Sequence, residues 1–200
     1  MKIGFIVECG PKGAETQVLP LLAALIRPEI IPDIIPLDRK PLLKEQCGRY
    51  AAELLARGCE KVLIVWDLLP DWGEYEGIGC LHADREEIFQ SLQHAGLRRD
   101  DPRIAVVCIH KMLEAWLRAD DRALARVLST DAHPVKIPRV KTCQSIRDPK
   151  AALDSLFRQS PKFRQYTDYV HAVLIARKIT DLTRLNRVPC FNRFREAIEA

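Results

Sequence analysis

Four acidic residues stand where an apolar run stops and a turn or helix begins. Glu8 closes KIGFIVE ahead of Cys9-Gly10-Pro11, Asp67 closes KVLIVW, Asp71 follows four residues later, and Glu114 falls in the first helical turns after the run at 104–109. Carboxylates at such places suit hard divalent cations, because Mg²⁺ and Mn²⁺ take oxygen ligands, usually one or two carboxylates completed by water and substrate phosphate. An acid after a strand can equally cap the next helix or face water. Asp67 resists that reading most, since it directly follows a six-residue apolar run where an unpaired carboxylate is costly. Glu8 adds a second chemistry. Within reach of a reacting oxygen it would serve as general acid or base, while bound cations stabilise the attacking and leaving oxygens of a phosphodiester.

A partner of opposite charge is suggested further along the chain. Lys and Arg number 15 against 20 Asp and Glu over residues 1–121, but 16 against 7 over 122–200, so an acidic part precedes a basic one within a net charge of +4. Lys136, Arg139, Lys141, Arg147 and Lys150 cluster around the Pro- and Lys-containing stretch HPVKIPRVKT at 133–142. They could neutralise the phosphates of a nucleic acid with little regard to sequence, or be a solvated loop. Two weaker constellations involve thiols. Cys80-Leu-His82 and Cys108-Ile-His110 could make a Cys₂His₂ zinc site, although not at finger spacing. Cys9 beside Glu8 could be a nucleophile, but no base for it is identifiable.

The elements that must position these residues follow from periodicity. Residues 2–8 and 61–66 read as buried strands, with 61–66 in the middle of the sheet, and 104–109 is a third apolar run of the same kind. Residues 30–37 read as a strand demoted to an edge by Pro32 and Pro36. Helical spacing appears over 14–27, 41–57, about 83–96 and 111–120, so strands alternate with helices and imply a mainly parallel sheet covered on both faces. After about residue 121 the pattern is mostly helical, over 149–158, 162–185 and 190–199, with Val170, Val173, Leu174 and Ile179 as an apolar face. In such a sheet ligands bind beyond the carboxyl ends of the strands, which is where the acids stand.

Composition sets the frame. Two hundred residues with 48% hydrophobic and 29% charged content fit one α/β domain, a sheet-bearing core over about 1–120 and a helical cap over about 121–200. Seven scattered cysteines suit reduced thiols, no apolar stretch is long enough to span a bilayer, and a cytoplasmic protein is expected. Neither G-x-G-x-x-G nor G-x-x-x-x-G-K-[ST] occurs, so a nucleotide-binding protein of those kinds lacks its phosphate-cradling loop.

A first strand ending in glutamate before a Gly-containing turn, and a later strand ending in aspartates, resembles the Toprim pattern of topoisomerases, primases and overcoming-lysogenization-type nucleases. That resemblance implies an acid/base role for Glu8 and Mg²⁺ held by Asp67 and Asp71. The family's second aspartate stands two residues after the first, a place held here by Leu69. A resemblance over nearly the whole chain is to the bacterial Toprim-related proteins of domain of unknown function 4276. It is carried by VECGPKGAET at 7–16, VLIVWD at 62–67, MLEAWLRAD at 112–120, DPKAAL at 148–153 and CFNRFREAIE at 190–199. It implies a Toprim/Rossmann-like sheet of about four strands and a role in phage defence or mobile-element biology, often beside an ATPase. The expectation is therefore a Mg²⁺- or Mn²⁺-dependent nuclease or phosphotransferase acting on nucleic acid, with Asp71 and Glu114 as rivals for the third ligand. The alternative is a non-catalytic binding or regulatory subunit that partners an ATPase.

Overall fold

The computed structural model describes residues 1–69, 81–142 and 145–200. Four parallel strands form one sheet in the order β2-β1-β3-β4, with β1 at Lys2–Val7, β2 at Ile31–Pro36, β3 at Lys61–Asp67 and β4 at Ile104–Ile109. The expected α/β class and the near-continuous apolar runs of the two central strands agree, because a strand covered on both faces has no polar side to show. β2 is an edge, as its prolines required: Pro32 and Pro36 sit opposite Ile3 and Val7 in the ladder.

Helices α1 (Glu15–Ile26), α2 (Lys40–Ala56) and α3 (Leu81–His94) make the crossovers. Two cores result, one on each face. Ile6, Ile64 and Trp66 pack with Leu43, Leu54, Ile88 and Leu92 of α2 and α3. Ile3, Phe5, Val65 and Ile109 pack with α1 and with the C-terminal helices. The approach of α2 to α3 depends on Gly48, whose missing Cβ would lie 2.0 Å from the Ser91 carbonyl oxygen. Its amide donates to Ser91 Oγ at 3.0 Å instead.

The C-terminal part supplies α4 (Glu114–Ala119), α5 (Asp121–Leu128), α6 (Pro149–Phe157), α7 (Asp168–Ala176) and α8 (Pro189–Glu199). Trp116 of α4 meets Phe191 edge-on at 5.2 Å and Phe194 at 5.4 Å, and its indole donates to Cys190 Sγ at 3.0 Å. Two expectations fail here. Helix α4 starts at Glu114 and not at 111, because Lys111 takes a left-handed backbone (φ 69°). The stretch 162–185 is helical only over Asp168–Ala176. Side chains capture the backbone ahead of it, Asp154 Oδ1 accepting the Tyr166 amide at 2.8 Å and His171 Nδ1 the Thr167 amide at 2.7 Å. Val170, expected to face inward, is exposed, while Val173 and Ile179 are buried. No helix among the described residues is long and apolar enough to cross a membrane.

Candidate functional site

The chain leaves β1 toward β2 on one side and reaches β3 on the other, so the direction of winding reverses at β1 and opens a crevice beyond its carboxyl end. Val7 pairs with Val65, and continuing that ladder by one residue sets Glu8 beside Trp66 and Asp67. With strands about 4.8 Å apart and rising about 3.3 Å per residue, the Cα atoms of Glu8 and Asp67 stand on the order of 6 Å from each other. A cavity of about 730 Å³ opens there, lined by Glu8, Asp67 and Glu114 among others.

The turn after β1 is built by its glycines. The Gly13 amide donates to the Gly10 carbonyl at 2.8 Å, and a Cβ on Gly13 would sit 2.6 Å from Cys9 Sγ. A Cβ on Gly10 would lie 2.8 Å from Asp38 Oδ1, so glycine is what lets the carboxylate after β2 approach the turn. Asp38 itself holds a left-handed backbone (φ 66°), and its amide donates to the Cys9 carbonyl at 3.0 Å. The Thr16 hydroxyl donates to the Gly13 carbonyl at 2.7 Å and starts α1 with Glu15 lining the cavity.

Glu8 and Asp67 are both buried, and each has one carboxylate oxygen with no hydrogen-bond partner among the described residues: Glu8 Oε2 and Asp67 Oδ1. The other oxygen of Asp67, Oδ2, accepts the Leu113 amide at 3.1 Å, which ties the end of β3 to the entry of α4. Burial pushes the Glu8 carboxyl up to about 8, with the Lys40 charge and the Asp67 backbone amide pulling down and Glu15 and Asp84 pushing further up. Asp67 lies well above the ordinary carboxylate range, through burial first and then the charges of Glu15, Glu8 and Glu114. Buried carboxylates this close raise one another, and a positive charge beside them would lower both.

Lys40 stands behind the strand ends. Its ammonium donates to the Leu68 carbonyl at 2.9 Å and lies 3.8 Å from Asp84 Oδ2, which also accepts the Trp66 indole at 3.2 Å. Lys44 bonds the other Asp84 oxygen at 3.4 Å and Glu87 at 3.2 Å. This buried network fixes the β3 end from the α2–α3 side.

On the opposite side Glu114 is buried and accepts the Tyr166 hydroxyl at 3.3 Å. Burial pushes its carboxyl up to about 7, against its own backbone amide and the Lys150 charge, with Glu15 and Asp168 adding to the rise. Lys150 does not lie with the other cations of its predicted group. It lines the cavity and bonds Asp168 Oδ2 at 2.6 Å, whereas Lys136, Arg139, Lys141 and Arg147 are exposed and form no ion pair among the described residues. These four lie on a strap whose apolar Val135, Ile137, Val140 and Ile146 pack against the core, so the cations alternate outward. Arg118 holds the strap through the Pro138 carbonyl at 2.8 Å, and Lys111 through the Ile146 carbonyl.

Asp71 and Cys80 lie outside the described residues, as do Glu74 and Glu76, so the D-x-x-x-D pair and the two-Cys two-His grouping have no geometry to report. The Cys9 thiol is pushed far up by burial and by the neighbouring Glu15 carboxylate, which keeps it protonated and a poor nucleophile. Sequence reasoning missed Glu15, Asp38, Lys40, Tyr166 and Asp168. Asp38 was within reach of the strand-end rule, since it follows β2 as Glu8 follows β1.

Compared with protein-family models, with curated proteins and with solved structures, the chain matches none of them.

The donor set bears on a divalent cation. Among the described residues no group of three or more His, Cys, Asp or Glu side chains is gathered at metal-binding geometry. Two hard oxygen donors with bare lone pairs, at the switch point of a parallel sheet, nonetheless fit the sparse protein shell that Mg²⁺ accepts, with water and phosphate completing it.

Proposed function

We propose that the chain is a Mg²⁺- or Mn²⁺-dependent enzyme of the Toprim-like kind that cleaves or transfers phosphodiesters of nucleic acid. The observation that carries this reading is the pair of buried, bare carboxylate oxygens, Glu8 Oε2 and Asp67 Oδ1, on adjacent central strands at one cavity. Asp67 and Glu8 would hold the cation, with Glu114 as the candidate third ligand among the carboxylates that line the cavity. When bound, the cation supplies charge stabilisation to the attacking and leaving oxygens. Burial raises the Glu8 carboxyl to about 8 in the metal-free protein, so where Asp67 holds the cation without it Glu8 would serve as general acid toward a leaving oxygen within hydrogen-bond reach, and as a ligand it would give up that proton when the metal binds. Leu113 and Tyr166 orient Asp67 and Glu114. Lys150, braced by Asp168, and Lys12 line the cavity and could meet a phosphate there, and the strap cations would track the backbone outside it.

The test is cleavage of DNA and RNA, single- and double-stranded, with Mg²⁺ or Mn²⁺, comparing wild type with Glu8→Gln and Asp67→Asn, together with calorimetry of each metal. Metal-dependent cleavage lost in both variants is expected. A wild type that neither cleaves any substrate nor binds either metal overturns the reading. Metal-independent binding to an ATPase without cleavage would then favour the regulatory-subunit alternative, possession of the fold without its chemistry.

A further inference from the structure

Tyr169 lies on the rim of the cavity that holds Glu8, Asp67 and Glu114, and 57% of it is exposed. The next residue, Val170, is 44% exposed as well, so the two form a small open patch at the rim. The ring of Tyr169 has no aromatic, cation or hydrogen-bond partner among the described residues. Its backbone, by contrast, is fixed. The Tyr169 amide donates to Asp168 Oδ1 at 2.8 Å, while Asp168 Oδ2 accepts Lys150 Nζ at 2.6 Å. One carboxylate thus ties the backbone of Tyr169 and the ammonium of Lys150 together, and both residues line the same acid-rich cavity.

An aromatic face beside a cation is the pairing that reads an unstacked base together with its phosphate. A base inside a duplex offers its edges and hides its faces, so the rim cannot use Tyr169 on an intact double strand. A volume of about 730 Å³ also fits one or two nucleotides and not a duplex. Resting on the nucleic-acid reading above, we infer that the substrate enters as a single strand or frayed end, with an unpaired base stacked on Tyr169 and the adjoining phosphate on Lys150. Arg147, exposed just before α6, continues the positive track toward the strap.

The experiment measures fluorescence anisotropy of labelled 20-mers of oligo(dT), oligo(U) and a blunt DNA duplex, in Ca²⁺ buffer, with full-length protein. Wild type is expected to bind at least one single strand at least tenfold more tightly than the duplex. Tyr169→Leu should weaken that binding by roughly 5- to 150-fold, the ~1–3 kcal/mol of one base stack, and Tyr169→Phe should stay within about twofold of wild type. Exposure of the side chain predicts unchanged thermal melting for both variants, which separates a lost site from a lost fold. Wild type that binds a single strand but is indifferent to Tyr169→Leu overturns the stacking site alone, as does equal binding of the duplex. Wild type that binds none of the three probes overturns the nucleic-acid reading and this inference with it.

Discussion

Replacing Glu8 by Gln should stabilise the metal-free protein, and by an amount that depends on pH. The folded-state carboxyl of Glu8 is raised from 4.5 to about 8 because it is buried among other acids. The folded protein therefore holds this proton more tightly than the unfolded chain does. The resulting stabilisation is fully present below about 4.5 and is lost as pH climbs toward and through about 8, since unfolding releases a proton across that window. Linkage at 1.36 kcal/mol per pH unit gives a loss of about 3 kcal/mol between pH 5.5 and 8.5 from this group. Gln keeps the shape and cannot ionise, so it removes that loss.

Urea unfolding followed by far-UV circular dichroism, in EDTA at pH 5.5, 7 and 8.5, reads the effect as a shift in midpoint at constant slope. Wild type should weaken toward pH 8.5 by more than Glu8→Gln does, the gap between the two widening by about 3 kcal/mol over the range. Part of the wild-type slope will persist in the variant, because Asp67 and Glu114 are shifted in the same direction. Saturating Mg²⁺ should restore wild-type stability at pH 8.5 and do little for the variant. Stability curves of wild type and Glu8→Gln that run parallel from pH 5.5 to 8.5 would refute the reasoning, since they would mean that Glu8 titrates in the fold as it does in water.

Further outcomes follow from the same geometry. Asp67→Asn should keep an acceptor for the Leu113 amide and lose metal affinity in calorimetry, whereas Asp67→Ala should also leave that amide unpaired and cost about 1–3 kcal/mol in urea unfolding. Gly48→Ala drives a Cβ to 2.0 Å from the Ser91 carbonyl and should destabilise by about 1–3 kcal/mol or more, measurable as a drop in melting temperature. Neutralising Lys136, Arg139, Lys141 and Arg147 together should flatten the logarithmic salt dependence of single-strand binding by about 3, at about 0.7 per phosphate contact, with the fold intact.

The sheet was legible because the physics behind it is local. Apolar runs of six residues, prolines on one strand only and helical spacing between them suffice to draw four parallel strands with β2 outside. Glu8 and Asp67 were legible for the same reason, as polar residues that interrupt apolar runs. Asp38 obeys the same rule and escaped because Pro32 and Pro36 drew attention from β2 to its edge position. Glu15 looks like an ordinary acid in the first turn of a helix, favoured there by the helix dipole. Tyr166 and Asp168 could not be found at all, since 162–185 reads as one helix until Asp154 and His171 seize its backbone. Four of the five segments that suggested a family resemblance contribute to the cavity, through Glu8, Asp67, Glu114 and Lys150. The fifth, at 190–199, closes over Trp116 and so holds α4 from behind.

The faces of the sheet explain why the bare oxygens of Glu8 and Asp67 have no cation bonded to them among the described residues. Alternation along β3 sends Trp66 toward α2 and α3 and Asp67 toward α4, in company with Val65. Lys40 and Lys44, the buried lysines near this end of the sheet, lie on the Trp66 side, where they meet Asp84. On the Asp67 side the near acids are Glu15, Glu8 and Glu114, and of the two lysines that line the cavity, Lys12 and Lys150, Lys150 is bonded to Asp168. Lys40, Lys44 and Lys150, the ammonium groups named around these acids, are thus engaged by other carboxylates, while Glu8 and Asp67 keep a bare oxygen each. Two ways remain to relieve them: take up protons, which is the direction of every shifted acid in the cavity core, or take up a cation from solution. The first is lost as pH rises, and the second also turns an acidic cavity into one that an anionic strand can enter. On the proposed reading, cation before strand is the order that this distribution of charge favours.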